Sequence, residues 1–268
     1  MSKNFTIVTG LWDIGRENLK DFNRSFDHYV ESFEKLLSLD FNFCVWIPSD
    51  LIPNVKKIRS FDNTKIFVKE LKEFKQFEHY NKIREIRRDP LWYSRAGWLE
   101  NSPQCKLDYY NPIIMSKFSF LENCAARNPF NSDYFFWLDG GITNTVNPTF
   151  LEKLDSIDKY MNTIEDKFLM LSFPYESHEE VHGFEAKKFS EFCGKKSKYV
   201  CRGGFFGGTK DSIEKCYPRY KKIMEECFDS GYMGTEENFL TILSYRFKED
   251  TARFELPDSL IYSFFDSL

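Results

Sequence analysis

The chain alternates between short, continuous apolar runs and longer stretches in which apolar residues recur with helical spacing. Residues 5–9 and 42–47 form apolar runs with the length of buried strands. Between them, residues 21–39 place apolar side chains three and four positions apart, which predicts an amphipathic helix. Residues 65–68 predict a third strand. This order of strand, helix and strand predicts crossover connections and a mainly parallel sheet.

After a long middle segment, the same alternation returns in the second half of the chain. Residues 71–128 are predicted to be helical and irregular, with aromatic residues among charged ones. Further strands are predicted at 134–138, 167–173 and 200–206, helices at 147–161, 209–228 and 235–245, and a closing edge segment from residue 253. No internal repeat or Pro/Gly/Ser-rich linker interrupts the sequence. We therefore expect a single domain, residues 1–268, of the α/β class, with a Rossmann-type, mainly parallel sheet flanked by helices.

Composition narrows the class of protein. The 268 residues are 42% hydrophobic and 18% aromatic, enough to bury a substantial core, and the net charge of -4 argues against a general nucleic-acid binder. The 7 cysteines are scattered without a Cys-x-x-Cys pair, which favours reduced thiols over a disulfide framework or a zinc ribbon. The first residues lack a signal-peptide pattern, and no apolar run reaches the ~18 residues of a membrane span. We expect a soluble, cytoplasmic protein.

One predicted strand ends in a carboxylate. The run 134–138 has five bulky apolar or aromatic residues, followed by Asp139, Gly140 and Gly141. A carboxylate at the carboxyl end of a buried strand faces the crevice in which open α/β sheets bind ligands. The two glycines allow a sharp turn or a close approach to a ligand. The alternative is an aspartate that caps a turn after a core strand, and this segment alone leaves both open.

Two later segments also carry candidate chemistry. Residues 202–208 place two glycine pairs around two phenylalanines, which exposes backbone N–H groups and admits a ligand. A bulged strand with a turn at each end is the alternative. Glu236 and Glu237 open a predicted helix after Thr235, which is suited to be its N-cap. Acidic residues in a first turn are also explained by the helix dipole alone.

Taken together and in this order, the three segments resemble the catalytic half of GT-A glycosyltransferases. Over nearly all of its 268 residues the chain resembles the WlaTC/HtrL family of bacterial glycosyltransferases. The similar segments are the loop 9–16, Tyr110 and Asn111 with Lys117, residues 128–130, residues 137–142, the strand 203–208, and Glu236 with Glu237. Residues 13–16 and 137–142 are the most specific of these.

The resemblance implies a GT-A-like fold with a nucleotide-binding half, residues 1–140, and an acceptor-binding and catalytic half, residues 141–268. It implies transfer of a hexose from a nucleotide diphosphate sugar, a UDP-sugar, to a cell-surface glycan such as lipooligosaccharide or lipopolysaccharide. The partners it implies are the nucleotide-sugar donor, a glycan or glycolipid acceptor, and a peripheral contact with the inner membrane.

The roles of individual residues are implied by the same resemblance. The catalytic residues would be Asp139, Glu236 and Glu237. The donor would be bound by Thr9, Gly10, Asp13, Arg16, Asn111, Lys117, Asp139, Gly140, Gly141 and Arg202, and the acceptor by Gly203, Gly204 and Phe205. Mn²⁺ or Mg²⁺ is expected at Asp139, although Gly141 stands at the third position of the familiar Asp-x-Asp motif. Arg16, Lys117 and Arg202 are the alternative means of neutralising the diphosphate.

Two other functions remain open at this point. His178-Glu179-x-x-His182 fits the pattern of a zinc metalloprotease, although Pro174 and Gly183 make a poor context for the helix that it requires. A polar loop near the donor or the acceptor is the other interpretation of this segment. A non-catalytic nucleotide- or carbohydrate-binding protein is the second alternative. The basic and aromatic stretches 82–98 and 187–202 are either solvated helix faces or a contact with an anionic glycolipid or membrane surface.

Overall fold

The protein is organised around a seven-stranded sheet. The computed structural model describes residues 4–21, 23–176, 180–257 and 260–268. Within these residues the strands are β1 (Phe5–Gly10), β2 (Asn42–Ile47), β3 (Thr64–Val68), β4 (Tyr134–Leu138), β5 (Phe168–Pro174), β6 (Glu180–Val181), β7 (Phe184–Glu185), β8 (Tyr199–Thr209) and β9 (Thr251–Glu255).

The sheet is mainly parallel, with the strand order β3-β2-β1-β4-β8-β5-β9. β1 pairs in parallel with β2 on one side and with β4 on the other. β2 also pairs in parallel with β3, and β5 with β9. β8 is antiparallel to both of its neighbours, β4 and β5. β6 and β7 form a separate two-stranded hairpin.

Helices occupy the connections between the strands. In the described residues they are α1 (Phe26–Leu37), α2 (Ile52–Ile58), α3 (Tyr80–Arg88), α4 (Pro90–Tyr93), α5 (Pro103–Lys106), α6 (Tyr110–Arg127), α7 (Pro148–Leu151), α8 (Ile157–Thr163), α9 (Ala186–Cys193), α10 (Lys210–Asp229), α11 (Glu236–Arg246) and α12 (Tyr262–Asp266). Across the described ranges, no helix is both long enough and apolar enough to cross a membrane.

Helices cover both faces of the sheet because the strands are apolar on both faces. In β4, Phe135 and Trp137 belong to one core, and Tyr134, Phe136 and Leu138 belong to the other. The first core is completed by side chains of α6, α10 and α11, and the second by side chains of α1, α2, α8 and α12. The predicted α/β architecture, a mainly parallel sheet flanked by helices, is confirmed.

The predicted elements differ from the structure mainly at their ends. All six predicted strands are present, and β8 runs three residues further than predicted. The first helix begins at Phe26 because Ser25 caps it, accepting the His28 N–H at 3.3 Å. The helix predicted at 147–161 is divided into α7, a 3₁₀ turn at Glu152–Ser156, and α8. The closing segment is β9, which forms one edge of the sheet beside β5.

Candidate functional site

A cleft of about 510 Å³ opens at the carboxyl ends of β1 and β4. After β1 the chain continues to β2, on one side of β1, and after β4 it continues to β5, on the other side of the sheet. The connections that leave β1 and β4 therefore diverge at this point. Open α/β sheets form their ligand crevices where connections diverge in this way. The cleft is lined by the loop after β1, the residues after β4, the first turns of α6, part of β8, Glu237 at the start of α11, and residues 260–262.

Asp139 is fixed at the floor of the cleft. Its backbone N–H donates to the carbonyl of Gly204 at 3.0 Å, and its Oδ1 accepts from Trp137 Nε1 at 2.6 Å. Gly140 allows the loops after β1 and β4 to approach each other, because a Cβ there would lie 2.7 Å from the carbonyl oxygen of Gly10. The carboxylate is therefore held in one orientation, with 37% of the side chain exposed.

Lys117, from α6, joins two carboxylates at the back of the cleft. Its Nζ lies 2.7 Å from Asp139 Oδ1 and 2.5 Å from Glu236 Oε1, and it donates to the carbonyl of Gly203 at 3.2 Å. These acceptors use all three donors of the ammonium group. Lys117 and Glu236 are only 7% and 6% exposed. One buried cation between two carboxylates is a poor way to stabilise a fold, and is typical of a functional site.

Burial and neighbouring charges shift the pKa values of Lys117 and Glu236. Burial lowers the pKa of Lys117, but the charges of Asp139 and Glu236 and the hydrogen bonds to them outweigh burial, so the pKa lies well above its usual range. Burial raises the pKa of Glu236 to about 7, against the opposing effect of Lys117 and with the help of the charges of Glu237 and Asp139. Lys117 is therefore a fixed cation, whereas Glu236 takes up a proton close to neutral pH.

Glu237 stands next to Glu236 in different surroundings. Its Oε1 accepts from the backbone N–H of Gly203 at 3.0 Å and lies 4.0 Å from Arg202 Nη1. Its Oε2 lies 3.6 Å from Nδ1 of His182, in the turn between β6 and β7. Glu237 lines the cleft, while Glu236 lies behind Lys117. Of the two acids, Glu237 is the one that faces a bound molecule.

The loop after β1 places a cation at the cleft. Gly15 adopts a left-handed conformation with a φ of 77°, and its N–H donates to Asp13 Oδ1 at 2.9 Å. This tight turn presents Arg16, whose Nη1 donates to the hydroxyl of Tyr29 at 2.7 Å. The Nε of Arg16 is buried and has no hydrogen-bond partner within the described residues. A buried, unpartnered guanidinium nitrogen beside a cleft is suited to an anionic ligand.

Ten of the predicted site residues line the cleft together. They are Gly10, Asp13, Arg16, Lys117, Asp139, Gly140, Gly141, Arg202, Gly204 and Glu237. They come from segments that are up to 227 residues apart in sequence, since Gly10 and Glu237 are both among them. The topology of the sheet brings them to one place.

The other predicted residues lie behind the cleft or in the core. Thr9 is buried in β1, and Asn111 donates to the carbonyl of Gly234 at 2.8 Å, which fixes the segment before α11. Gly203 packs against Glu236, because a Cβ at this position would clash with the Glu236 carboxylate. Phe205 lies in the second core. These residues shape the site from behind.

The side chains of Trp12, Tyr29 and Tyr110 form aromatic walls of the cleft, and Ile261 closes one side. Trp12 and Tyr110 belong to segments that carry the family resemblance, whereas Tyr29 and Ile261 had no recognisable signal in the sequence. The aromatic or apolar character of these two residues is common to many core residues. The sequence indicates His182 either as a zinc ligand or as part of a polar loop near the donor or acceptor, and in the structure it contacts Glu237.

The zinc metalloprotease pattern is not supported by the local backbone. His178 and Glu179 lie outside the described residues. Glu180–Val181 pairs with Phe184–Glu185 as a hairpin, and His182 has a positive φ of 51° in the turn between them. The helix that would place both histidines on one face therefore does not extend over the end of the motif.

Asp139 offers one carboxylate oxygen for a metal ion in the cleft. Asp139 Oδ1 is engaged by Lys117 and Trp137. Oδ2 has no hydrogen-bond partner among the residues described and lies on the side of Gly204. Mg²⁺ is commonly held by one or two carboxylates together with substrate phosphates. The residues therefore fit a divalent ion that arrives with a diphosphate and takes Asp139 Oδ2 as its protein ligand.

A different group of possible metal ligands lies outside the cleft. Within the described ranges, Glu78, His79 and Glu225 each place one ligand atom within 4.8 Å of the others. Lys221 Nζ lies 2.9 Å from Glu78 Oε2 and already supplies a positive charge there. This trio is not among the residues that line the cleft.

The structure is similar to two solved structures, one of a transferase and one of a synthase. One is mouse xyloside xylosyltransferase 1 in its apo form, with a TM-score of 0.45 and 9% identity over 95% of this chain and 85% of that one. The other is 4-diphosphocytidyl-2C-methyl-D-erythritol synthase from Anaerococcus prevotii, with a TM-score of 0.42 and 9% identity over 99% of this chain and 95% of that one.

The sequence has a curated relative and matches one protein family. Protein HtrL of Escherichia coli (strain K12) is 27% identical over 160 residues, which are 56% of this chain and 55% of HtrL, so the match spans about half the length of that relative. The family described as "Bacterial protein of unknown function (HtrL_YibB)" matches residues 3–249. With a match over nearly its whole length, the chain belongs to the HtrL_YibB family.

Proposed function

We propose that the protein is a glycosyltransferase that uses a nucleotide diphosphate sugar, and that the cleft binds this donor. The observation that carries the proposal is the cluster of Lys117 with Asp139 and Glu236, beside Glu237, at the carboxyl ends of β1 and β4. A fixed cation stabilises the charge of a leaving diphosphate. Carboxylates bind sugar hydroxyls or take up the proton of an acceptor hydroxyl.

Three cations are proposed to neutralise the charge of the diphosphate. Arg16 has a buried Nε without a partner in the described residues. Lys117 is held as a cation by two carboxylates. Arg202 also lines the cleft, and its guanidinium lies 4.4 Å from the ring centroid of Phe173. A preorganised group of this kind typically contributes ~10²–10³ in rate. These charges need no reorganisation when the bond to the leaving group breaks.

The two neighbouring acids of α11 are proposed to have different roles. Glu237 lines the cleft and is held by Gly203 and His182, so it would contact the reacting sugar or the acceptor hydroxyl. Glu236 contacts Lys117 rather than the cleft. It would act through Lys117, as a positioning residue that fixes the ammonium group.

A divalent ion is proposed to accompany the donor. Asp139 would hold Mn²⁺ or Mg²⁺ through Oδ2, while Oδ1 stays with Lys117 and Trp137. The ion would add positive charge to the diphosphate beyond that of the fixed cations. Asp139 would also lie beside the ribose, with Gly140 and Gly141 giving the nucleotide room.

The remaining predicted residues are assigned to the two halves of the cleft. Residues 1–140 are proposed to form the donor half, with Thr9, Gly10, Asp13 and Asn111 shaping the loops around the nucleotide. Residues 141–268 are proposed to form the acceptor half. There Gly204 lines the cleft beside Asp139, and Gly203 and Phe205 support the strand from behind.

The acceptor is proposed to be a cell-surface glycan, lipooligosaccharide or lipopolysaccharide, and the transferred sugar a hexose from a UDP-sugar. This assignment rests on the resemblance of residues 9–16 and 137–142 to bacterial glycosyltransferases. The reaction is proposed to take place in the cytoplasm, where the enzyme would touch the inner face of the membrane that carries its glycolipid acceptor.

Ligand-induced stabilisation tests the proposal. The full chain is heated with UDP, GDP or CMP and the corresponding sugars, each with Mn²⁺, Mg²⁺ or EDTA. A ligand at a hundredfold excess over its Kd stabilises the folded state by about 2.7 kcal/mol. We expect one nucleotide family to raise the Tm, and EDTA to reduce the shift. Binding without any release of nucleotide diphosphate would support a non-catalytic binding protein, and the absence of any shift would refute the proposed donor site.

A further inference from the structure

A second pocket lies at the end of α11 that is remote from Glu236 and Glu237. It has a volume of about 320 Å³ and is lined by Lys195, Tyr199, Ser244, Lys248, Thr251 and Arg253. The 11 residues of α11 span ~16 Å at the usual rise of a helix. The pocket shares no lining residue with the cleft, so it is a separate site.

Three cations from separate segments converge on this pocket. Lys195 comes from the loop before β8, Lys248 follows α11, and Arg253 belongs to β9. Lys195 and Lys248 line the same pocket, and the positive charge of Lys248 lowers the pKa of Lys195. Neither lysine is paired with a carboxylate in the described part of the chain. Two ammonium groups that line one pocket repel each other, and an anion between them would remove this repulsion.

The third cation is oriented by its neighbours. The guanidinium of Arg253 lies 3.9 Å from the ring centroid of Tyr199. Its Nη1 donates to Ser172 Oγ at 2.7 Å and lies 2.6 Å from Glu255 Oε2. Glu255 is thus the carboxylate paired at this pocket, and two lysines remain to be neutralised. The hydroxyls of Tyr199 and Ser244, 3.0 Å apart, add polar groups to the wall.

The positive surface continues beyond the pocket. An adjacent depression shares Lys195 and adds Lys187 and Lys196, and its one acidic lining residue, Glu191, is 3.0 Å from Lys188. The whole chain has a net charge of -4, so this surface is a local exception to its acidic character. The dipole of α11 favours one cation at its carboxyl end. It does not account for Lys195, which comes from another segment.

We propose that the pocket lined by Lys195, Lys248 and Arg253 binds a phosphate group. Two lysines and an arginine around a cavity with hydroxyl groups provide the charge and the donors that a phosphate requires. The phosphate would belong either to an anionic lipid headgroup or to a soluble phosphate compound. This site goes beyond the proposed transferase activity and does not depend on it.

The test compares a double variant with a matched control. Lys195→Gln with Lys248→Gln removes two charges from the pocket, and Lys56→Gln with Lys57→Gln removes two from exposed positions on α2, near the opposite edge of the sheet. Binding of the full chain to inorganic phosphate is measured by calorimetry. Binding to phosphatidylcholine vesicles with and without phosphatidylglycerol is measured by co-sedimentation at low and high salt. The sites are exposed, so both variants should keep the wild-type Tm.

The expected result is binding by the wild type that weakens with salt and falls at least ~10-fold in the pocket variant, with the control unchanged. Loss of binding to anionic vesicles identifies a lipid headgroup, and loss of phosphate binding alone identifies a soluble compound. Equal losses in both variants, or no binding of either probe by the wild type, would overturn the proposal. Nucleotide-induced stabilisation, measured in parallel, should be the same in all three proteins.

Discussion

Two charged clusters in this protein have similar components, but the cations of one are accessible to solvent and the cation of the other is buried. Asp250 contacts Lys215 and Arg219, whose side chains are 57% and 29% exposed. Lys117 contacts Asp139 and Glu236 at the back of the cleft, where Lys117 and Glu236 are buried. The first cluster has two cations for one carboxylate, and the second has two carboxylates for one cation.

The pKa values of Asp250 and Glu236 are shifted in opposite directions. Hydrogen bonds from Lys215 and Arg219 lower the pKa of Asp250, whereas burial raises that of Glu236 to about 7. The Asp250 cluster ties α10 to the start of β9 and is explained by the fold. The Glu236 cluster keeps a buried lysine and a buried carboxyl group together behind the cleft, which the fold alone does not require. The comparison teaches that charge balance and burial distinguish a structural ion pair from a binding site.

The largest effect is expected for Lys117→Met, which removes the cation of the buried cluster. Asp139 and Glu236 would lose their shared partner, at a cost of about 3–5 kcal/mol in the free energy of unfolding. Transfer activity should fall by ~10³ or more, because the leaving diphosphate loses a fixed charge. Urea unfolding and nucleotide release measure the two effects.

Lys153→Met is the matched control for that variant. Lys153 Nζ lies 2.6 Å from Asp266 Oδ1 in an exposed pair, so the variant should lose no more than about 1 kcal/mol and keep its activity. Equal destabilisation of the two lysine variants would contradict the distinction between the buried Lys117 cluster and an exposed ion pair.

The next effect separates activity from stability. Asp139→Asn keeps an oxygen that accepts from Trp137 Nε1, so the fold should change little. Turnover should fall by ~10²–10³ because the charge that faces the substrate is lost. A variant that releases nucleotide at the wild-type rate would remove Asp139 from the proposed site.

A smaller effect is expected in the pH dependence of stability. The pKa of Glu236 is raised from its ordinary value of 4.5 to about 7, so the folded state binds more protons than the unfolded state between these values. The contribution of Glu236 to stability is therefore present at low pH and is lost as pH rises through this window, by at most ~3 kcal/mol. Urea unfolding of Glu236→Gln from pH 5 to pH 8 should show a flatter profile than the wild type. Parallel profiles would contradict the raised pKa.

The smallest effect is expected for Asp250→Asn, and its pH dependence has the opposite sign. The pKa of Asp250 is lowered in the folded state, so its contribution is present above the unfolded value of 3.8 and is lost as pH falls through the folded pKa. Water screens the exposed partners, so the variant should lose about 1 kcal/mol or less at neutral pH. Its activity should equal that of the wild type. A large loss of activity would show that the two clusters are not functionally distinct.

The strands could be predicted from the sequence because strands buried on both faces are continuous apolar runs. The run before Asp139 is β4 as expected, and the aspartate lies in the cleft. The sequence does not predict which of two neighbouring residues faces the cleft and which faces the core. Gly203 and Gly204 look equivalent in sequence, but one packs on Glu236 and the other opens to the cleft. The orientation of β8 decides this, and it depends on pairing with β4 and β5.

Contacts between side chains from distant segments could also not be predicted from the sequence. Tyr29 and Arg16 come together because α1 packs beside the loop after β1. His182 reaches Glu237 only because the β6–β7 hairpin lies against the start of α11, where Asn238 Nδ2 donates to the carbonyl of Val181 at 2.9 Å. Neither pair has a local pattern that marks it, since the partners are held together by the packing of separate elements.

Donor turnover tests the central claim most directly. The nucleotide sugar that stabilises the wild type is incubated with the wild type, with Asp139→Asn and with Asp250→Asn, and the release of nucleotide diphosphate is measured. We expect release by the wild type and by Asp250→Asn at similar rates, and a rate lower by about two orders of magnitude for Asp139→Asn. No release by the wild type, or equal rates in all three proteins, would contradict a transferase site built around Asp139 and Lys117.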